Sequence, residues 1–339
     1  MNNSSFDAFL GRSMCSQTVT TTFTAVISFV SISALVGNIL VTVMFHMNAT
    51  LRTSPNYFIV NMAVCDIFST LTTWPLYATE GMLSKKHLID EPMATVVCKL
   101  GLYSRSVSQV VSTVSLVWIV VERFIAIVHP FQVKQFTKRL RAVLLIFTWI
   151  ISLLLCIPYI LFSKIDEEGQ QTYCRLSWGE KELSIYFSIG FVLFYCVPLI
   201  TIIVLYSRIM KCLKRSRPTA DEVQESITIK NRQQNTTVMK VFISIVIVFF
   251  LSWTPLCVFL LLKMAFPPVY TKDSCLLFAG LFFYIFPSLG TAINPVILFA
   301  SSTNFSKALK EMLNRFKCNS FCKCGQVSAQ TDIIEFDQL

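Results

Sequence analysis

Few residues of this 339-residue chain can do chemistry, because charged residues make up only 14% of it and histidines number three. Asp66 stands in the middle of an apolar stretch, where an ionisable side chain is costly and therefore marks a candidate site. Its candidate partners are Asn38, Ser112 and Asn294, which stand in other apolar stretches. This set would either bind a small cation with water, for which one carboxylate is a weak anchor, or hold a protonated carboxyl group by hydrogen bonds.

Arg105, Ser112 and Arg123 form a second candidate set, because their spacing places them on one stripe of a helix. Separations of 7 and 11 residues leave the three within about 20° of one helix face. Arg105 would lie about 27 Å from Arg123 at 1.5 Å per residue, so the stripe joins the two surfaces of a membrane. Arg123 has Glu122 beside it, and such a pair can release the arginine to a partner protein.

Arg105 allows two interpretations. Its guanidinium group either forms an ion pair with Glu80 or with the acidic run at residues 166–168, or it anchors a carboxylate or phosphate of a ligand. Catalysis is not indicated, since the chain contains neither H-E-x-x-H nor G-x-S-x-G and its histidines are scattered. We therefore predict that the chain is not an enzyme and that it has no cofactor or metal, apart from a small cation near Asp66.

Seven apolar stretches must position these side chains, each long enough to cross a hydrocarbon core of about 30 Å as a helix of about 20 residues. Hydrophobic residues make up 54% of the chain and the mean hydropathy is +0.62, which excludes a disordered chain and a soluble enzyme. The predicted spans are Thr20–Phe45, Tyr57–Tyr77, Val97–Val121, Val143–Phe162, Ile185–Tyr206, Val238–Leu262 and Leu276–Ala300.

These spans predict an all-α membrane protein. A seven-transmembrane helix bundle would occupy residues 20–303, after an N-terminal segment at residues 1–19. A short amphipathic helix at residues 304–316 and a tail at residues 317–339 would follow the bundle. No duplication of halves is visible, which disfavours a transporter.

Lysine and arginine are distributed unequally between the two sides of the spans. The odd-numbered connections and the tail hold 19 of the 29, and the opposite side holds 10. By the positive-inside rule the N-terminus is extracellular, and the amphipathic helix and the tail are cytosolic. We therefore expect a multi-pass protein of the plasma membrane whose basic surplus meets the lipid bilayer rather than nucleic acid.

Four of the 12 cysteines lie on the outer side, where disulfides form: Cys15, Cys98, Cys174 and Cys275. A Cys98–Cys174 bridge would hold the loop after the fourth span across the mouth of the bundle. The even number of outer cysteines indicates a second bridge, Cys15–Cys275, although other pairings of the four stay open.

Two further kinds of modification are predicted outside the spans. Cys318, Cys322 and Cys324 follow the amphipathic helix and are either palmitoylation sites or plain thiols. Asn2 and Asn3 begin overlapping sequons in the extracellular segment, so one of them is a candidate for glycosylation.

A series of short motifs occurs in order along the spans. They are Gly37-Asn38, Asp66, Cys98, Glu122-Arg123-Phe124, Trp149, Pro198, Tyr206, Phe249, Ser252-Trp253-Thr254-Pro255 and Asn294-Pro295. A single motif of this kind occurs by chance, but the ordered set resembles the rhodopsin-like G-protein-coupled receptors over about residues 20–320. The resemblance implies a cell-surface receptor that binds an extracellular ligand and activates a heterotrimeric G protein.

The resemblance also implies roles for particular residues. The G-protein switch would comprise Glu122, Arg123, Tyr206, Phe249, Trp253, Asn294 and Pro295. A sodium-type site, with the ion as an allosteric modulator, would comprise Asp66, Ser112 and Asn294. The ligand-binding residues would be Arg105, Glu80, Gln109, Trp253 and Ser288. Separately, Ser320, Ser328 and Thr331 in the tail are candidates for phosphorylation-dependent partners, and arrestin is one such partner.

Two residues depart from the family's pattern. Leu298 stands where the family usually has a tyrosine, three residues after Pro295, so the water-bridged tyrosine contact of the active state cannot form there. Asn235 stands where many members have an acid, so a salt bridge from that position to Arg123 is absent. Restraint of the inactive state is then either looser or dependent on Glu122 alone.

The ligand class follows from charge. Amine receptors of the family carry an aspartate where this chain has Arg105, and opsins bind retinal through a lysine where this chain has Ser288. The outer opening of the bundle combines the positive charge of Arg105 with the negative charges of Glu80 and an acidic loop. This mixture of charges favours a peptide as the ligand. The alternatives are an acidic small molecule or lipid as the ligand and, because of Leu298, a weakly signalling decoy receptor.

Overall fold

Seven long helices form the protein in a computed structural model, which describes residues 17–82, 91–168, 171–215, 222–265 and 274–314. The unbroken helices are α1 (Gln17–Met47), α2 (Ser54–Met82), α3 (Glu91–Val128), α6 (Glu222–Ala265) and α7 (Ser274–Ser301). Two helices are interrupted. A turn at Cys156 divides α4 into Lys138–Leu155 and Ile157–Phe162, and a π-helical turn at Val192–Cys196 joins the two parts of α5, Glu180–Phe191 and Val197–Arg215.

All seven predicted spans fall inside these helices. Helices α1 to α6 are long and apolar enough to cross a membrane, and α7 completes the set when it is taken together with the helix that follows it. The predicted seven-helix membrane fold is therefore confirmed. The helices extend beyond the apolar stretches because backbone hydrogen bonds continue into the polar flanking residues.

A short helix, α8 (Thr303–Asn314), leaves the end of α7 at an angle of 90°. It lies where the sequence predicts the amphipathic helix. Phe305 and Ala308 are buried against the bundle, whereas Lys307 and Lys310 lie on other faces of the helix. Most of the predicted N-terminal segment and the whole of the tail at residues 317–339 lie outside the described residues.

Close helix packing positions the interior side chains. Helix α3 lies centrally and contacts α2, α4 and α5. Gly37 of α1 packs directly on α7, because a Cβ atom at this position would come within 2.9 Å of Pro295 Cβ and Cγ. On the outside, α4 and α5 expose large apolar side chains such as Ile146 and Ile200, as expected for surfaces that face lipid.

The structure adds one feature that the all-α prediction did not contain. Strands β1 (Ser163–Glu168) and β2 (Gln171–Leu176) form an antiparallel hairpin between α4 and α5, with Ile165 opposite Cys174. A disulfide joins Cys174 to Cys98 at the start of α3, with a Cα–Cα distance of 5.5 Å. We call this end of the bundle the disulfide end, and the opposite end the Arg123 end.

Candidate functional site

A cavity lies within the bundle and is lined by residues of α1, α2, α3, α6 and α7. Four of the five predicted ligand-binding residues line it: Arg105, Gln109, Trp253 and Ser288. The fifth, Glu80, lies in α2, but its side chain is outside the described part of the structure. The walls are rich in hydroxyl groups from serine and threonine, which provide donors and acceptors for a polar ligand.

Arg105 is oriented by two contacts in this cavity. Its Nη1 atom donates a hydrogen bond to Ser288 Oγ over 3.1 Å, which ties α3 to α7. Its guanidinium carbon lies 5.3 Å from the centroid of the Trp253 ring on α6, within the range of a cation–π interaction. Any group that binds Arg105 therefore acts on three helices at once.

Asp66 lies in the same cavity and is buried. Ser108 donates a hydrogen bond to Asp66 Oδ1 over 2.8 Å. The Ser112 Oγ and Asn294 Oδ1 atoms line the cavity too, and they are buried without a hydrogen-bond partner among the described atoms. One carboxylate and two unpartnered oxygens in the same cavity are the kind of oxygen ligands that a sodium ion binds.

Among the described residues, Asp66 accepts a hydrogen bond from Ser108 and from none of the three partners predicted for it. Asn38 does not bond to Asp66, because its Nδ2 donates to the carbonyl oxygens of Ala34 and Thr291, at 2.9 Å and 3.2 Å. Ser108, which the sequence analysis missed, takes that place. Its position one helical turn before Ser112 on the inward stripe of α3 is the signal that would have indicated it.

The hairpin forms a lid at the disulfide end. Its base is closed by the Phe162 and Trp178 rings, which stack with centroids 4.4 Å apart and planes 10° apart. Ser177 N also donates to the Phe162 carbonyl over 2.8 Å. The disulfide from Cys174 to Cys98 ties the second strand to α3, so the lid is anchored on both sides. The side chains of the acidic run at residues 166–168 lie outside the described part.

Aromatic residues of α6 continue from the cavity toward the Arg123 end. The Trp253 and Phe249 ring centroids are 6.2 Å apart, one helical turn from each other. Next to them, Tyr195 in the π-helical turn of α5 shares a hydrogen bond of 2.6 Å with Thr254. Pro255, the residue after Thr254, lies inside α6. Trp253 thus lies both at the cavity and in the proline-containing segment of α6.

The Arg123 end holds three of the predicted switch residues, Glu122, Arg123 and Tyr206. Arg123 Nη2 lies 3.4 Å from Oε1 of the buried Glu122, as an ion pair. Tyr206 is buried nearby on α5, and its hydroxyl group has no hydrogen-bond partner among the described atoms. Leu298 is 3% exposed and packs in the same core. Asn235 lies in α6, but its side chain is outside the described part.

A family model described as "7 transmembrane receptor (rhodopsin family)" matches residues 37–298, most of the chain. The chain belongs to this receptor family. The resemblance noted in the sequence is therefore confirmed, and so is the prediction that the chain is a receptor rather than an enzyme, because the family consists of receptors.

Individual relatives of this receptor extend the comparison. The QRFP-like peptide receptor of Branchiostoma floridae is 26% identical over 325 residues, which cover 93% of this chain and 80% of that protein. Neuropeptide FF receptor 1 of Rattus norvegicus is 29% identical over 262 residues, covering 73% of this chain and 59% of that protein. Melanopsin of Rutilus rutilus is 29% identical over 238 residues, which cover 68% of this chain and 47% of that protein.

Several predicted sites of the receptor lie outside the described residues. They are the second bridge Cys15–Cys275, of which only the backbone of Cys275 is described, the glycosylation candidates Asn2 and Asn3, and the palmitoylation candidates Cys318, Cys322 and Cys324. Within the described part, no group of three or more His, Cys, Asp or Glu side chains is arranged to hold a metal. A cation at Asp66 would depend on one carboxylate and neutral oxygens.

Proposed function

We propose that this receptor binds an extracellular peptide in the cavity at Arg105 and activates a heterotrimeric G protein at the Arg123 end. Two comparisons support a peptide, since the relatives from Branchiostoma floridae and Rattus norvegicus carry the names of peptide receptors. The orientation rests on the surplus of Lys and Arg, which places the disulfide end outside the cell and the Arg123 end in the cytosol of a plasma-membrane protein.

One observation carries the proposal: Arg105 contacts both Ser288 and Trp253 in a polar cavity within the bundle. A peptide carboxylate or another anionic group that binds the guanidinium forms charge-assisted hydrogen bonds. These hydrogen bonds compete with the cation–π contact between Arg105 and Trp253. The packing of α6 against α3 therefore changes. The shift is transmitted along Phe249 toward the ion pair of Glu122 with Arg123.

Two further elements belong to the proposal. A sodium ion bound by Asp66, Ser112 and Asn294 would favour one conformation of the bundle and thereby modulate ligand affinity. Arrestin would bind the receptor after phosphorylation of Ser320, Ser328 or Thr331, because a phosphate adds charge and three acceptor oxygens.

A decoy receptor is the second candidate function, because Leu298 is buried and offers no hydroxyl group at the Arg123 end. Such a protein would bind its ligand without activating a G protein. An acidic small molecule or lipid remains the alternative ligand, since the Arg105 cavity would accept its anionic group equally well.

The experiment is a G-protein dissociation assay in cells that express the receptor, screened against a peptide library. The proposal expects at least one peptide to produce dissociation that Arg123→Gln abolishes at equal surface expression. Dissociation in response to acidic small molecules but to no peptide would overturn the ligand class. Peptide binding at the cell surface without dissociation for any G-protein subtype would overturn signalling in favour of the decoy.

A further inference from the structure

Two side chains of opposite charge line the cavity within the bundle. Arg105 extends from α3 and Asp66 from α2, and the other described residues that line the cavity are uncharged. The positive charge of Arg105 acts on Asp66 across the cavity. Because Asp66 is buried, water screens this attraction less than it would at the surface. The two charges balance each other, so the described lining carries no net charge.

Hydrogen bonds fix the positions of these two charges. Ser108 stands one helical turn after Arg105 on α3 and donates to Asp66 Oδ1 over 2.8 Å. Arg105 itself donates from Nη1 to Ser288 Oγ over 3.1 Å, and its guanidinium carbon lies 5.3 Å from the Trp253 ring centroid. No ion pair joins Arg105 to Asp66, both of which the structure describes. Arg105 therefore offsets the charge of Asp66 from a distance.

Two further oxygen atoms in the same cavity are suited to a cation. Ser112 Oγ and Asn294 Oδ1 are buried and have no hydrogen-bond partner among the described atoms. Together with the carboxylate of Asp66 they offer oxygen ligands to a sodium ion, whereas a proton needs only the carboxylate. The positive charge of Arg105 repels any cation that enters this cavity. Arg105 and a sodium ion therefore compete to balance the charge of Asp66.

We propose that an anionic ligand group at Arg105 and a sodium ion at Asp66 strengthen each other's binding. The anion neutralises the guanidinium group that repels the ion, and the ion restores the charge balance that the anion disturbs. Coupling between two binding sites is reciprocal, so sodium strengthens ligand binding by the same factor. The inference rests on the proposed function, whose ligand and ion it connects, and it adds the sign of their coupling.

A sodium titration of the purified full-length receptor tests the coupling without any ligand. Thermal unfolding is followed while sodium chloride replaces N-methyl-D-glucamine chloride, and the rise of Tm with sodium gives the apparent sodium affinity. A unit charge changes the affinity for an ion about 10 Å away by about 15-fold at an effective dielectric constant of about 20. Arg105→Gln should therefore bind sodium about 15-fold more tightly than wild type. Asp66→Asn should show no sodium dependence.

A carboxylate built into the cavity replaces the unidentified ligand. Ser288→Asp places an acid at the residue that accepts the hydrogen bond from Arg105, so the guanidinium group is neutralised from within. This variant should also bind sodium about 15-fold more tightly than wild type. Ser288→Asn has the same shape without the charge and should differ from wild type by less than about 2-fold. If Ser288→Asp does not fold, Arg105→Gln decides alone, because it adds no charge to the bundle.

Lys99→Gln is the control for the loss of a positive charge. It removes one from α3, as Arg105→Gln does, but Lys99 is not among the residues that line the cavity. An equal gain for Lys99→Gln, or unchanged sodium affinity in Arg105→Gln or in a folded Ser288→Asp receptor, would overturn the coupling. Stabilisation of Arg105→Gln by a lower pH but not by sodium would assign the site to a proton and also overturn it. Since no peptide or G protein is used, failure here leaves peptide activation of the receptor standing, and an absence of peptide responses leaves these sodium affinities unchanged.

Discussion

Ser108 of α3 donates a hydrogen bond to Asp66 of α2 over 2.8 Å, at the bottom of the cavity whose upper part holds Arg105. Ser112 and Asn294 line the same cavity, and their buried oxygens have no partner among the described atoms. One buried acid is thus bonded to α3, in a cavity that α7 also lines. Occupancy of this position by a cation would affect how these helices move relative to one another.

The first prediction concerns this position. Replacing sodium by N-methyl-D-glucamine, with chloride held constant, should change agonist affinity by about 5- to 150-fold, the usual range of allosteric coupling. Asp66→Asn should abolish the sodium effect, because a neutral amide attracts a cation far more weakly than a carboxylate does. The measurement is agonist competition binding on membranes. Retention of the full sodium effect in a well-expressed Asp66→Asn receptor would exclude this site.

The second prediction concerns the lid. Cys98→Ser and Cys174→Ser should each lower surface expression and ligand response to the same degree, and the double variant should be no worse than either, because both changes break one bond. The expected destabilisation is about 2–5 kcal/mol. Flow cytometry measures the loss of surface expression. Cys257→Ser, which removes a free thiol, serves as the control. Unequal single variants would argue against the pairing.

The third prediction concerns Leu298, which borders a second cavity. Leu298→Tyr should raise basal or maximal G-protein activation by about 2- to 13-fold, the equivalent of one hydrogen bond of about 0.5–1.5 kcal/mol. The Tyr206 hydroxyl group, which has no partner among the described atoms and lies in the same core, is a candidate to share that bond. Leu298→Phe adds the ring without the hydroxyl and should not reproduce the gain; an equal gain would attribute the effect to packing.

The fourth prediction concerns the contact of α1 with α7. Gly37→Ala should destabilise the receptor by about 1–3 kcal/mol, because the new methyl group would overlap the Pro295 ring, which is fixed to the backbone. Thermal unfolding of the purified receptor measures the loss. Gly190→Ala is the matched control, since nothing lies within 4 Å of a Cβ atom there. A Gly37→Ala receptor as stable as Gly190→Ala would show that the two helices separate easily.

The fold could be predicted because each span is an apolar stretch of sufficient length, a property of local sequence. The partner of Asp66 could not, because serines in membrane helices commonly bond to their own backbone. Ser106, for example, donates to the Leu102 carbonyl over 3.0 Å, whereas Ser108 reaches across to another helix. Only the relative rotation of α2 and α3 decides between these two uses of a serine.

The hairpin was missed for a related reason. Its strands, Ser163–Glu168 and Gln171–Leu176, are short and polar, and they lack the alternation of apolar residues that indicates a half-buried strand. Pairing depends on contacts outside the hairpin, namely the disulfide to Cys98 and the stack of Phe162 on Trp178. The convergence of Arg105, Gln109, Trp253 and Ser288 on one cavity followed from the family resemblance rather than from composition.

The most direct test of the account pairs Arg105 with the ligand. Once an agonist is found, its potency in G-protein dissociation is measured for wild type and Arg105→Gln, with the ligand's carboxylate free or capped as an amide. We predict that capping costs wild type about 2–5 kcal/mol, or about 30- to 5,000-fold in potency, and costs Arg105→Gln hardly anything, at unchanged surface expression. Equal losses in both receptors would contradict the account, because the anion of the ligand would then bind somewhere other than Arg105.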